Sequence, residues 1–173
     1  FVDELANYEF QKLFYGTFGS SKLKFYSDSF QHCLKEVTTT KKPLLFFLHN
    51  NEIEESKQYC QLLTDPAIEE LICEKFIILG WKLENDEQYC HNLAKKIFIV
   101  QNEVLDNLIN AKPAIFFIIP NVESVKIHKI IDIDTDSVDR AENHNDLTKL
   151  VSAIKDVQEF LSLYEYDSFE NMT

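Results

Sequence analysis

The sequence predicts an α/β fold, a mixed central sheet flanked by helices on both faces. Three observations carry this. First, "PLLFFL" from Pro43, "KFIILGW" from Lys75 and "AIFFII" from Ala114 are apolar runs of strand length. A strand apolar on both sides needs cover on both sides, as in a layered sheet. Second, the segments between these runs repeat apolar residues at helical spacing, while a fourth strand follows the third directly. That mixes crossover and hairpin connections. Third, the 173 residues hold only 3 Gly and 4 Pro, too few for the tight turns of a sandwich or barrel.

Along the chain, residues 1–24 read as an extended or partly helical arm holding "YGTFGSS". At Ser27-Asp28-Ser29, small oxygen-bearing side chains can cap a helix. Phe30, Cys33, Leu34 and Val37 then share one helical face. After the first strand a helix is expected over about 54–63. In the next, Asp65 caps and Pro66 takes the first turn, where a missing N–H costs nothing. Ile68, Leu71 and Ile72 form its buried side. The second strand leads through "ENDEQ" into Tyr89, Leu93, Ile97, Val100, Val104 and Leu108, one long helix or two short ones. Lys112-Pro113 opens the third strand. "VKIHKII" alternates in part, as a strand nearer an edge does. The acidic connection "DIDTDSVDRAENHND" precedes a last helix from Asp146 to Tyr164, with Leu147, Leu150, Val151, Ile154, Val157 and Leu161 inward.

Composition narrows the function. Apolar residues at 45% support one domain with a full core. A net charge of −12 is poorly suited to nucleic acid, which needs clustered Lys and Arg. No apolar run approaches the ~20 residues of a membrane span. The opening "FVDELANYEF" lacks the basic flank and apolar stretch of a signal peptide, and a chain opening on Phe reads as a piece of a longer protein. Cys33, Cys60, Cys73 and Cys90, spaced 27, 13 and 17 apart, match neither C-x-x-C nor a zinc ribbon. They read as reduced thiols of a cytoplasmic or nuclear protein.

The turn after the first strand is where thiol chemistry would sit. Thiol–disulfide exchange needs a low-pKa thiolate near a helix N-terminus and a second thiol to resolve it. Glu52, Ile53, Glu54 and Glu55 offer neither. Their carboxylates suit the positive end of a helix dipole by ~0.3–1 kcal/mol each. Cys60 lies further along that helix and reads as buried, its alternative being a single-cysteine oxidoreductase or redox sensor. Cys33 and Cys73 read as core. Cys90-His91 and His32-Cys33 are adjacent pairs whose members point to different sides of a helix, unsuited to one metal. Asp132, Asp134 and Asp136 alternate like the first half of a calcium loop, but the turn glycine is missing and position twelve is Asn143. A solvated loop is expected there. His49, at a strand end, reads as a hydrogen-bonded structural histidine. There is no nucleophile elbow, no phosphate loop and no cofactor site. The basic side chains available to a carboxylate ligand beside an apolar groove are Lys22, Lys24, Lys95, Lys96, Lys126 and Lys129.

These pieces resemble the thioredoxin fold, in which the proline before the third main strand is usually cis; the resemblance makes Pro113 a cis-proline. A narrower likeness lies in "FYSDSFQHCLKEV", "KPLLFFLHNNEIEESKQYCQLLTDPAIEELICEKFIILGWKLEND" and "AKPAIFFIIP". They resemble the UAS domain of the Fas-associated factor 1 family of UBX-domain adaptors. The shared marks are the pair Phe25-Tyr26, the strand end Leu48-His49, Cys60 before "QLL", and Trp81 after the second core strand. The likeness covers about residues 10–165. It implies a UAS domain over 25–165, an extension over 1–24 and a tail over 166–173. It also implies a non-catalytic adaptor linking ubiquitylated clients to the valosin-containing AAA+ ATPase through domains outside these residues. A response to long-chain unsaturated fatty acids by self-association is implied as well.

Overall fold

The computed structural model describes residues 2–97, 102–122, 124–133 and 145–170. The elements run α1 (Val2–Phe18), α2 (Phe30–Thr40), β1 (Leu44–Asn50), α3 (Glu54–Leu62), α4 (Pro66–Ile72), β2 (Ile77–Leu83), α5 (Glu87–Ala94), a 3-10 turn (Lys95–Ile97), α6 (Asn102–Ile109), β3 (Ala114–Pro120), β4 (Val125–Asp132) and α7 (Asn145–Glu170). The strand order is β2-β1-β3-β4, with β1 parallel to β2, and β3 antiparallel to both β1 and β4. This is the expected mixed α/β sheet, with "VKIHKII" at one edge. The Tyr89–Leu108 pattern resolves into two short helices, although Val100 lies outside the described residues.

Alternation along each strand divides the core in two. Leu45, Phe47, Ile78, Ile115 and Phe117 face α1, α3, α4 and α7. Leu44, Phe46, Leu48, Leu79, Trp81 and Phe116 face α2, α5 and α6. Every residue of β1 and β3 is buried. The caps act as the sequence suggests: the side chain of Ser29 accepts from His32 N–H, and that of Asp65 from Ala67 N–H, with Pro66 in the first turn.

Residues 2–24, within the stretch 1–24 expected as an arm, pack on the sheet. Ala6, Phe10 and Phe14, spaced i, i+4, are fully buried. A second stripe, Asp3, Asn7 and Gln11, fastens α1 to the segment before α2. Asp3 Oδ2 accepts from Phe30 N–H (2.8 Å), Asn7 donates to Tyr26 C=O (2.7 Å) and Gln11 donates to Ser27 Oγ (3.0 Å). α1 thereby covers β2, an edge strand that would otherwise lie open, and Tyr26 N–H reaches Ile78 C=O (2.7 Å) on the same edge. The helix Val2–Phe18 thus packs on the sheet and does not stand apart as an arm. At the other end, α7 continues through Glu170, so helix replaces most of the expected tail; 171–173 lie outside the described residues.

The Lys112–Pro113 bond, expected cis, is trans, as are all peptide bonds among the described residues. The chain is turned by another device. Ala111 has φ 52°, its N–H bonds to Leu108 C=O (3.2 Å), and Lys112 N–H bonds to Asn107 C=O (2.8 Å). That pair of bonds closes α6 with a left-handed residue and redirects the backbone before Pro113 is reached.

Candidate functional site

The junction of β1 and α3 is closed by side-chain hydrogen bonds. His49 and Asn50 end β1, and both are buried. Asn50 C=O accepts from Ile53 N–H (3.1 Å) and Asn50 Oδ1 from Glu52 N–H (3.0 Å), which folds the turn back on the strand. Asn50 Nδ2 donates to Asn85 Oδ1 (3.0 Å) and to Ala111 C=O (2.9 Å). Asn85 in turn donates to Glu52. One amide thus ties together the turn after β1, the loop after β2 and the entrance to β3.

Ser56, in the first turn of α3, is fully buried. Its Oγ accepts from Asn50 N–H (3.1 Å) and lies 2.7 Å from His49 Nδ1. His49 Nε2 lies 3.2 Å from Asn51 Oδ1, an acceptor. The consistent arrangement is a neutral ring with the proton on Nε2 and the Ser56 hydroxyl donating to Nδ1. Burial holds the His49 pKa down, from 6.5 to about 4, with hydrogen bonding to Asn51 opposing the fall. Phe10 and Phe47 flank the ring at 5.9 and 5.5 Å between centroids. The Ser56–His49 pair has the elements of a nucleophile and base, but neither side chain reaches solvent.

The four turn residues singled out in the sequence occupy the helix start. Ile53 is the N-cap and makes no side-chain capping bond, while Glu54 and Glu55 lie in the first turn. Cys60 is buried on α3, and desolvation pushes its thiol up to about 12. All four cysteines are free, and only Cys73 is partly exposed; burial also raises the thiols of Cys33 and Cys90. Cys73, read as core from the sequence, packs against the core at its margin and is partly buried. Trp81 is fully buried between Phe30 (5.6 Å) and Phe46 (5.0 Å), and its Nε1–H has no acceptor among the described residues.

No group of three His, Cys, Asp or Glu among the described residues could hold a metal ion. Asp134, Asp136 and Asn143 of the calcium-like pattern lie outside them. Among the described residues no helix is long and apolar enough to cross a membrane. The candidate lysines separate. Lys22 and Lys24 line a cavity of about 560 Å3 with Phe76, Ile77 and Ile78. Lys95 and Lys96 line one of about 460 Å3 with Val2, Phe30 and Leu34. Lys126 and Lys129 lie on β4.

The sequence pattern of Fas-associated factor 1 matches residues 10–151 of this chain, most of its length. The chain belongs to the Fas-associated factor 1 family. No curated protein matches it by sequence. Among solved structures, a thioredoxin from Thermus thermophilus is 15% identical, over 75% of this chain and 88% of its own, with a TM-score of 0.46. Its fold, a mixed four-stranded sheet with helices on both faces, is of the α/β class. Asn50, Ser56, Asn85 and Ala111, which build the junction, were not legible as a set. Only Asn50, inside an Asn-Asn turn, carried a local signal.

Proposed function

We propose that this domain is a redox-dead, non-catalytic interaction module of a ubiquitin-pathway adaptor. The adaptor would link ubiquitylated clients to the valosin-containing AAA+ ATPase through domains beyond these residues. The observation that carries this reading is the closed β1–α3 junction. Asn50 and Ser56 fill it with hydrogen bonds, and no sulfur stands there. The buried, high-pKa thiol of Cys60 weighs against the single-cysteine oxidoreductase alternative.

The test has two arms. The purified domain is expected not to reduce insulin disulfides with dithiothreitol as donor; turnover that disappears in Cys60→Ser would replace this reading with the oxidoreductase. The full-length protein is expected to capture the ATPase and ubiquitin conjugates together, and capture of neither would remove the adaptor role. The fatty-acid response inferred for the family would use the cavity holding Lys22 and Lys24, where an apolar floor meets two ammonium groups. Asp28, Glu36 and Glu74 line the same cavity and oppose a carboxylate. Light scattering with oleate, on wild type and Lys22→Glu/Lys24→Glu, decides it: no size change in wild type removes the response.

A further inference from the structure

The two edges of the sheet differ. β2 is covered by α1 and by the segment that bonds Ile78. β4 has β3 on one side and, among the described residues, no strand on the other. The pairing tells which of its backbone groups face outward. Pro113 C=O accepts from Ile133 N–H (3.3 Å) on the β4 side, so by alternation Ala114, Phe116 and Ile118 direct their N–H and C=O groups to β1, opposite Leu48, Phe46 and Leu44. Ile115, Phe117 and Ile119 therefore bond β4, opposite Ile131, Lys129 and Lys126. Val125, Ile127 and Ile130 are left directing their N–H and C=O groups away from the sheet.

His128 is the extra residue of a bulge, because the register shifts between Phe117 and Ile118. Its ring turns to α7, 3.1 Å from Asp156 Oδ2 and 4.6 Å from the Phe160 ring centroid. Lys126 Nζ lies 5.3 Å over the same Phe160 ring, and Lys129 is exposed. So in a chain of net charge −12, this edge, unpaired among the described residues, carries Lys126 and Lys129, with Asp132 as the exposed acid at its far end. Two copies meeting edge to edge would set these lysines against one another. The charge therefore selects against self-pairing and for an acidic strand.

We infer that the outer edge of β4 is a docking surface for an extended acidic segment of another protein, added as a fifth strand at Val125–Ile130 with its carboxylates beside Lys126 and Lys129. Main-chain bonds would supply the attachment and the lysines the selectivity. The surface deepens the interaction-module reading.

The test uses the full chain and an end-capped ten-residue peptide alternating Val and Glu. Backbone amide signals of Val125, Ile127 and Ile130 are expected to shift and gain exchange protection on titration. Lys126→Glu/Lys129→Glu is expected to weaken binding about tenfold, and raised salt to weaken it further. A Val/Lys peptide of the same pattern should bind worse by a similar factor. Ile127→Pro, which removes an outward N–H and leaves the bonds to β3, should abolish binding; Ile127→Val, which keeps that N–H, should not. Shifts confined to other surfaces, binding indifferent to the charge reversal, or no binding would each overturn the inference. A dimer through β4 without peptide would overturn it in favour of a second copy. Failure here leaves capture of the ATPase and ubiquitin conjugates by the full-length protein unaffected, so the two readings fail separately.

Discussion

Phe10 of α1 packs directly on Gly80 of β2: a Cβ built on Gly80 would overlap the Cδ1–Cε1 edge of the Phe10 ring. The ring cannot retreat, because it is fully buried against Phe14, Phe25, Phe47 and His49. This contact is how α1 approaches closely enough to close the β2 edge and to shield His49 from water.

Gly80→Ala is therefore expected to destabilise the domain by about 1–3 kcal/mol, the usual range for forcing a methyl into a filled core. Urea unfolding measures it. Phe10→Ala alone should cost about 3–5 kcal/mol. The double variant should be distinctly more stable than the sum of the two losses, because removing the ring makes room for the methyl. Simple additivity would mean that the two residues do not meet as described.

Acid should loosen the β1–α3 junction. His49 titrates near 6.5 when unfolded and near about 4 when folded. Between these values the unfolded chain takes up a proton that the folded chain refuses. Stability is then complete above pH 6.5 and declines as pH falls towards 4, by about 3 kcal/mol in all for a shift of this size. Unfolding midpoints measured across pH 4–7 should show this slope, and His49→Gln should flatten it, whatever its effect on stability at pH 7. An equal slope in the variant would assign the acid sensitivity to other groups.

The elements that the sequence made legible are those whose pattern serves a single purpose. β1 and β3 are buried on both faces and read as unbroken apolar runs. α2 and α4 carry their caps, Ser29 and Asp65, in plain view. α1 was obscured because two of its sides are buried. Ala6, Phe10 and Phe14 face the core while Asp3, Asn7 and Gln11 hold the chain before α2, so the helix looks neither apolar nor amphipathic. The absence of a thiol pair at the candidate site was readable from Glu52 to Glu55. The network that replaces it was not, since it joins residues 50, 56, 85 and 111 through tertiary contacts. Before the trans bond at Pro113 the chain is turned by a left-handed Ala111, a conformation that alanine does not advertise.

Glu74 should be replaceable with profit to stability. Cys73 has φ −58° and ψ 127°, Glu74 has φ 64°, and Lys75 N–H bonds to Ile72 C=O (3.2 Å). This is a turn whose third residue favours glycine, because a side chain there crowds the backbone. Glu74→Gly is expected to raise stability by about 0.5–1 kcal/mol, the relief of strain exceeding the entropy lost by a more flexible unfolded chain. Denaturant midpoints decide it, with Glu74→Ala as the control that removes the carboxylate but keeps the Cβ. A gain of equal size in the alanine variant would place the effect in the charge and not in the backbone.

Thiol accessibility separates the inert scaffold from a redox protein most directly. Cys73 is partly exposed and its Sγ lies 3.6 Å from Lys22 C=O, at the cavity that also holds Lys24. Cys33, Cys60 and Cys90 are buried, and desolvation raises the pKa of each thiol. With an aromatic disulfide reagent at pH 7.5, the native protein should therefore release about one equivalent of chromophore quickly and the remaining three only on unfolding. Cys73→Ser should remove the fast phase, and Cys60→Ser should leave it intact. If the fast phase instead followed Cys60, α3 would have to open in the native state. The junction at His49 and Ser56 would then be a working site and not a sealed one.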